Sequence, residues 1–203
     1  EKDSPGFIGK EYVTFELVED TRYRLIQGVA RRARDGEPVC GDSYAFIYLD
    51  SGQVLMSLSD GMGSGEKAKE ESEMMINLLE QMVDTGFARR SALRMINSMM
   101  MMHGDRQLFS SMDLSVIDLY TGICEFIKIG ASSTFIKRGN KVECVTSGSL
   151  PMGVFPEMDC EGVSRNLFDS DVIVMVTDGV VNRFRHGSET ICDLLSDMER
   201  TNP

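Results

Sequence analysis

Histidine is scarce in this chain. Only His103 and His186 occur in 203 residues, and neither has a carboxylate or cysteine at ligand spacing, which argues against structural zinc. Both read as surface or helix-end residues. Paired cysteines are missing as well: Cys40, Cys124, Cys144, Cys160 and Cys192 are scattered, with no CxxC. An odd, unpatterned set of thiols fits a reduced, cytosolic compartment. No apolar run approaches a membrane span, and no signal peptide is visible. No serine stands in a G-x-S-x-G elbow, and no Lys-Ser/Thr follows Gly61, Gly63 and Gly65 at nucleotide-loop spacing. Positive charge is short too. With 21 Lys+Arg against 32 Asp+Glu the net charge is −11, which excludes a general nucleic-acid or anionic-membrane binder.

What remains is ordinary globular composition, 42% hydrophobic and 26% charged, enough for one domain with a full core. Residues 1–10 read as a linker and 11–203 as the domain. A chain running from Glu1 to Pro203 is expected to be an excised piece of a longer protein, whose membrane anchor could lie elsewhere.

Three aspartates stand out. Asp60, in Ser59-Asp60-Gly61-Met62-Gly63, follows the apolar run 54–58, and Asp178, in Thr177-Asp178-Gly179, follows the run 172–176. Asp42, in Gly41-Asp42-Ser43, precedes a third run. Each alone reads as a turn aspartate. Three at strand ends, with no histidine near, describe a site for hard divalent cations and hence metal-assisted phosphoryl chemistry. A following glycine lets the backbone approach a ligand and frees a carbonyl oxygen. Asp60 is the candidate bridging ligand, because its glycine-rich loop is the least encumbered.

Periodicity supplies the frame. Val13, Phe15 and Leu17 alternate as a strand, and Tyr23, Leu25, Gln27 and Val29 as a second. The runs 44–49 and 54–59 flank Asp50-Ser51-Gly52-Gln53 as a hairpin. Helices are expected over 66–83, with Ala68, Ser72, Met75, Leu79 and Met82 as the buried stripe, and over 91–102, capped by Ser91 and ended by Gly104. Strands follow at 114–119, 123–129, 134–138 and 141–145, then a hairpin of 163–168 with 172–176. A last helix from Ser188 is expected to bury Ile191, Leu194, Leu195 and Met198. Hairpins dominate and no βαβ rhythm occurs, so the fold class is α+β: antiparallel sheets with helices outside, consistent with two facing sheets.

Other features have plainer readings beside functional ones. Arg22, Arg24, Arg31, Arg32 and Arg34 form the one basic cluster, read as a solvated strand face or as a clamp for a phosphorylated partner. Arg31, Arg32 and Arg34 are the substrate-binding candidates, being nearest Asp42. Asp113 reads as a loop aspartate or as an outer group near the site, and Asp118 as surface. Met99 to Met102 read as core filling, with a helix-pair surface for regulation or a homodimer as the alternative.

The motifs Gly41-Asp42-Ser43, Leu58-Ser59-Asp60-Gly61-Met62-Gly63-Ser64-Gly65, Gly130-Ala131-Ser132-Ser133 and Val176-Thr177-Asp178-Gly179 resemble, in order and spacing, those of metal-dependent serine/threonine phosphatases of the protein phosphatase 2C type. Asp60 to Ala68, Met112 to Leu119 and Phe135 to Gly139 resemble the sporulation branch, the stage II sporulation protein E family. The resemblance covers residues 36–181. It implies a β-sandwich flanked by helix pairs, α-β-β-α, with two Mn2+ or Mg2+ ions at one edge. Asp60 would bridge them, Asp42 and the Gly61 carbonyl would serve one ion, and Asp178 the other. A water shared by the ions would attack phosphorus in line, with no phosphoenzyme. The implied substrate is a phosphorylated anti-anti-sigma factor, dephosphorylated on serine to release a sigma factor during sporulation. The implied setting is a cytoplasmic domain behind a membrane-spanning region. The chain departs from the pattern in one respect. The family closes its site with a late acidic pair, while Asp193 and Asp197 fall within the last expected helix and match no such pair. The closing C-terminal strand is expected to be missing, and turnover impaired. The alternatives are a related stress-response phosphatase, or a non-catalytic module that binds a phosphoprotein or oligomerises.

Overall fold

The computed structural model describes residues 19–102, 109–158 and 160–198. Two strands open the fold, β1 (Asp42–Tyr48) and β2 (Gln53–Gly61), followed by two helices, α1 (Gly65–Asp84) and α2 (Arg89–Met102). Then come β3 (Ser110–Asp118), β4 (Ile123–Ile129), β5 (Thr134–Arg138), β6 (Lys141–Val145), β7 (Val163–Asn166) and β8 (Val172–Met175). Two helices end the described chain, α3 (Asp178–Val181) and α4 (Ser188–Asp197). Five strands form one sheet in the order β1-β2-β3-β4-β7, and three form the other, β6-β5-β8. Every pairing is antiparallel, so the α+β class with two facing sheets stands.

Strand alternation builds the layers. Leu55 of β2 faces α1 and α2, while its neighbours Val54 and Met56 face the small sheet. In β3 and β4, Met112, Leu114, Val116, Ile127 and Ile129 point to the helices; Ile117, Cys124 and Phe126 point between the sheets. Period 2 sends alternate side chains to opposite faces, and here both faces are buried, with Ser57, Ser59, Asp113 and Ser115 set among the apolar residues. The helix layer meets them with Ala68, Met75, Leu79, Leu93 and Ile96, all fully buried. On the far side Phe135 packs under Ile191 and Leu195 of α4. The order is therefore helices, sheet, sheet, helices.

Several expectations are corrected. The stretch 23–29 is not a strand; it runs as irregular chain, with Tyr23 donating its N–H to the Leu119 carbonyl at 2.9 Å and Leu25 packing at the inter-sheet core. β7 and β8 are not a hairpin: β7 pairs with β4 and β8 with β5, so the chain crosses between sheets at 167–171. Ser91 does not cap α2, which starts at Arg89, where Arg89 and Arg90 pair with Glu125 of β4 at 3.4 and 3.2 Å. Of the methionine run only Met100 reaches the core; Met99, Met101 and Met102 are exposed. Leu194 of α4 and Met198 just past its end are exposed, and the buried pair is Ile191 and Leu195, four residues apart on one face. Asp113 is not a loop residue. It lies inside β3, 1% exposed, bonded to Lys128 and Thr134. Asp118 accepts the N–H groups of Tyr120 and Thr121, both at 2.9 Å, and so shapes the β3–β4 turn. The linker at 1–10, the strand at Val13–Leu17, His103 and Gly104 lie outside the described residues.

Candidate active site

Asp42 opens β1 and Asp60 lies next to the end of β2, and the two are direct partners across the ladder. Residues opposite one another on antiparallel strands carry their side chains on the same face, ~5 Å apart at Cβ. Asp178 arrives from the other sheet: β8 ends at Met175, Thr177 turns the chain, and Asp178 begins α3. Thr177 closes the gap by donating its hydroxyl to Asp42 Oδ2 at 2.9 Å. The Cys40 thiol donates to the same oxygen at 3.6 Å. Asp42, Asp60 and Asp178 are thus brought together from three elements.

Their charges burden Asp60. Burial, then Asp42 and Asp178, both by charge and within hydrogen-bonding reach, push its carboxyl from an ordinary 3.8 up to about 8. Among the described residues no three His, Cys, Asp or Glu side chains stand in a chelating arrangement. The trio is in electrostatic contact without being drawn up as ligands. A half-buried all-oxygen cluster whose central acid resists ionisation has the chemistry that a hard divalent cation offsets.

Small residues and serines hold this geometry. A Cβ on Gly61 would sit 2.0 Å from the Ala68 carbonyl oxygen, and one on Gly41 would sit 2.9 Å from the Ala68 Cβ. The first turns of α1 therefore press directly on both strand ends. With no side chain possible there, Gly61 can offer a ligand only its backbone. Ser72 of α1 donates to the Gly41 carbonyl at 2.6 Å and meets Ser43 at 2.7 Å. Ser110 donates to the Asp60 carbonyl at 2.9 Å, and Ser111 accepts the Asp60 N–H at 3.3 Å. Sequence reasoning missed these serines. Ser72 showed only as a member of the α1 stripe, and the Ser110-Ser111 pair carried no periodic signal.

The arginine candidates separate. Arg31 is at the site: it donates to the carbonyls of Cys40 and Asp42 and lies over the Tyr44 ring at 5.8 Å. Arg32 is 87% exposed and pairs loosely with Asp35 at 3.6 Å. Arg34 shares the same segment, and Arg183, which sequence reasoning did not single out, approaches Asp35 at 3.9 Å. All four line one cleft of about 2080 Å3 that also contains Asp42, Asp60 and Asp178. Asp193 and Asp197 are exposed on α4, which packs on the outer face of the small sheet, and neither is among the charges that act on Asp60.

Comparison with known proteins identifies the family. Residues 50–201 match the family model for Stage II sporulation protein E (SpoIIE). Stage II sporulation protein E of Bacillus subtilis (strain 168) is 37% identical over 186 residues, covering 92% of this chain and 22% of the relative. That of Priestia megaterium is 38% identical over 164 residues, covering 81% and 28%. The chain thus spans about a quarter of the curated relatives it matches. A solved structure of the PP2C phosphatase domain and a fragment of the regulatory domain of SpoIIE from Bacillus subtilis superposes with a TM-score of 0.77 at 34% identity, covering 84% of this chain and 50% of that one. The chain therefore belongs to the stage II sporulation protein E family, in the region that carries its PP2C-type phosphatase domain.

Proposed function

We propose that this domain hydrolyses phosphoserine or phosphothreonine on a protein, with two Mn2+ or Mg2+ ions held by Asp42, Asp60, the Gly61 carbonyl and Asp178. The observation that carries the reading is the Asp42–Asp60 strand pair with Asp178 brought against it from the second sheet. When bound, such ions acidify water for in-line attack and neutralise the phosphoryl oxygens. The protein's own part is positional. The β1–β2 ladder fixes two carboxylates rigidly, Thr177 orients Asp42, and the serines fix the Asp60 backbone. Arg31 is braced against the β1 start, and Arg32, Arg34 and Arg183 line the same cleft, where they would meet the chain flanking the phosphate.

The substrate is a phosphorylated anti-anti-sigma factor, and the domain acts in the cytoplasm in control of a sporulation sigma factor. Family membership supports this. No described helix is long and apolar enough to cross a membrane. A second reading, a module that binds a phosphoprotein without turnover, is favoured by one observation: neither Asp193 nor Asp197 is among the charges that act on Asp60. Titrating Mn2+ against hydrolysis of p-nitrophenyl phosphate and of a phosphoserine protein decides between them. Metal-dependent turnover lost in Asp60→Asn supports the enzyme. Phosphoprotein binding without turnover at any metal concentration supports the module.

A further inference from the structure

Behind the aspartates lies a polar triangle that the proposed chemistry does not use. Lys128 Nζ donates to Asp113 Oδ2 at 2.5 Å and to Thr134 Oγ1 at 2.9 Å, and Thr134 donates to the same Asp113 oxygen at 2.6 Å. The Lys128 and Asp113 side chains are each 2% exposed. Burial pushes the Asp113 carboxyl up and the Lys128 ammonium down, and each group's charge opposes the other's shift.

Location gives the triangle its meaning. Asp113 and Lys128 are partners in the five-stranded sheet, whereas Thr134 opens β5 of the three-stranded sheet. The triangle therefore ties the sheets to each other. Asp113 stands opposite Leu58, two residues before Asp60. Thr134 stands opposite Met175, two residues before Thr177, which grips Asp42. Two residues along a strand are one side-chain step on the same face, ~7 Å. The triangle is thus the row directly inboard of the aspartates, at the end where the sheets must keep one separation.

We propose that Asp113, Lys128 and Thr134 are positioning residues that set the sheet-to-sheet distance at the active site and so hold Asp178 against Asp42 and Asp60. This rests on the metal-site reading above. Apolar residues of equal volume would serve core stability as well or better, since a buried ion pair is a weak stabiliser. Two directional bonds between the sheets, both made by the Thr134 hydroxyl, fix a distance, which apolar packing does less sharply. The charges acting on Asp60 are those of Asp42 and Asp178, and Lys128 is neutralised by Asp113, so the triangle acts through geometry.

Thr134→Val tests this, because it keeps the side-chain shape and the Lys128–Asp113 pair but cuts the tie between sheets. Thr134→Ser keeps the hydroxyl. Mn2+ affinity is measured by titration calorimetry on wild type and both variants, with thermal melting in chelator as the stability control. Expected is at least a tenfold weaker Mn2+ affinity for Thr134→Val with a near-unchanged metal-free melting temperature, and affinity within twofold of wild type for Thr134→Ser. Wild-type affinity in a folded Thr134→Val overturns the proposal. So does failure of Thr134→Val to fold beside a normal Thr134→Ser, which makes the hydroxyl a folding determinant only. A wild type that binds no Mn2+ sinks the metal-site reading itself, and the triangle's role with it.

Discussion

Replacing Asp60 by Asn should stabilise the metal-free domain while removing its response to metal. The Asp60 carboxyl stands at about 8 instead of 3.8, through burial and then Asp42 and Asp178. Folding thus makes this acid retain a proton that the unfolded chain releases. Its contribution is least unfavourable below about pH 4, grows costly as pH rises, and is fully costly above about pH 8. At ~1.4 kcal/mol per pK unit, a shift of about four units sets a ceiling of ~6 kcal/mol. The carboxyl is only partly buried, so solvent screening reduces this to ~2–3 kcal/mol. The amide of Asn has no charge to lose and can donate to Asp42 and Asp178. For a domain of this size, ~2–4 °C per kcal/mol gives a rise of about 5–10 °C at pH 8. Melting followed by circular dichroism in chelator, from pH 5 to 8.5, reads this directly. The gap between variant and wild type should widen with pH, then close or reverse when Mn2+ is added, because only wild type gains. A variant that melts below wild type at pH 8 without metal, or a pH-independent gap, refutes the reasoning.

Other outcomes follow from single contacts. Arg31→Gln should raise KM several-fold for both p-nitrophenyl phosphate and a phosphoprotein, since Arg31 braces the start of β1; Arg32→Gln, at an exposed side chain, should raise KM for the phosphoprotein alone. Equal effects of Arg32→Gln on both substrates would remove it from docking. Gly61→Ala drives a methyl group into the Ala68 carbonyl and should cost ~3 kcal/mol or more, seen as a fall in melting temperature of about 6–12 °C. Lys137, 8% exposed, donates to the carbonyls of Leu195 and Ser196 at the end of α4. Lys137→Met should speed hydrogen exchange across residues 188–197 and cost ~1–2 kcal/mol.

Local signals were readable where chemistry and periodicity agreed. The β1–β2 hairpin shows in its alternation and in Gly52 at positive φ, and α1 in a stripe spaced for one face. The three aspartates were visible because each marks a strand end. Long-range partners were not. Asp113 looks like a loop residue until Lys128 and Thr134, 15 and 21 positions on, are known to share its pocket. The stretch 163–168 and the apolar run 172–176 mark strands correctly but say nothing about which sheet receives each. Tyr23 to Val29 alternates without finding a partner ladder among the described residues, so propensity alone misled there.

Anomalous diffraction from crystals grown with Mn2+ tests the central claim most directly. The expected map carries manganese peaks among the carboxyl oxygens of Asp42, Asp60 and Asp178, lost in Asp60→Asn. Manganese seated elsewhere on the domain, or nowhere on it at saturating concentration, contradicts the account.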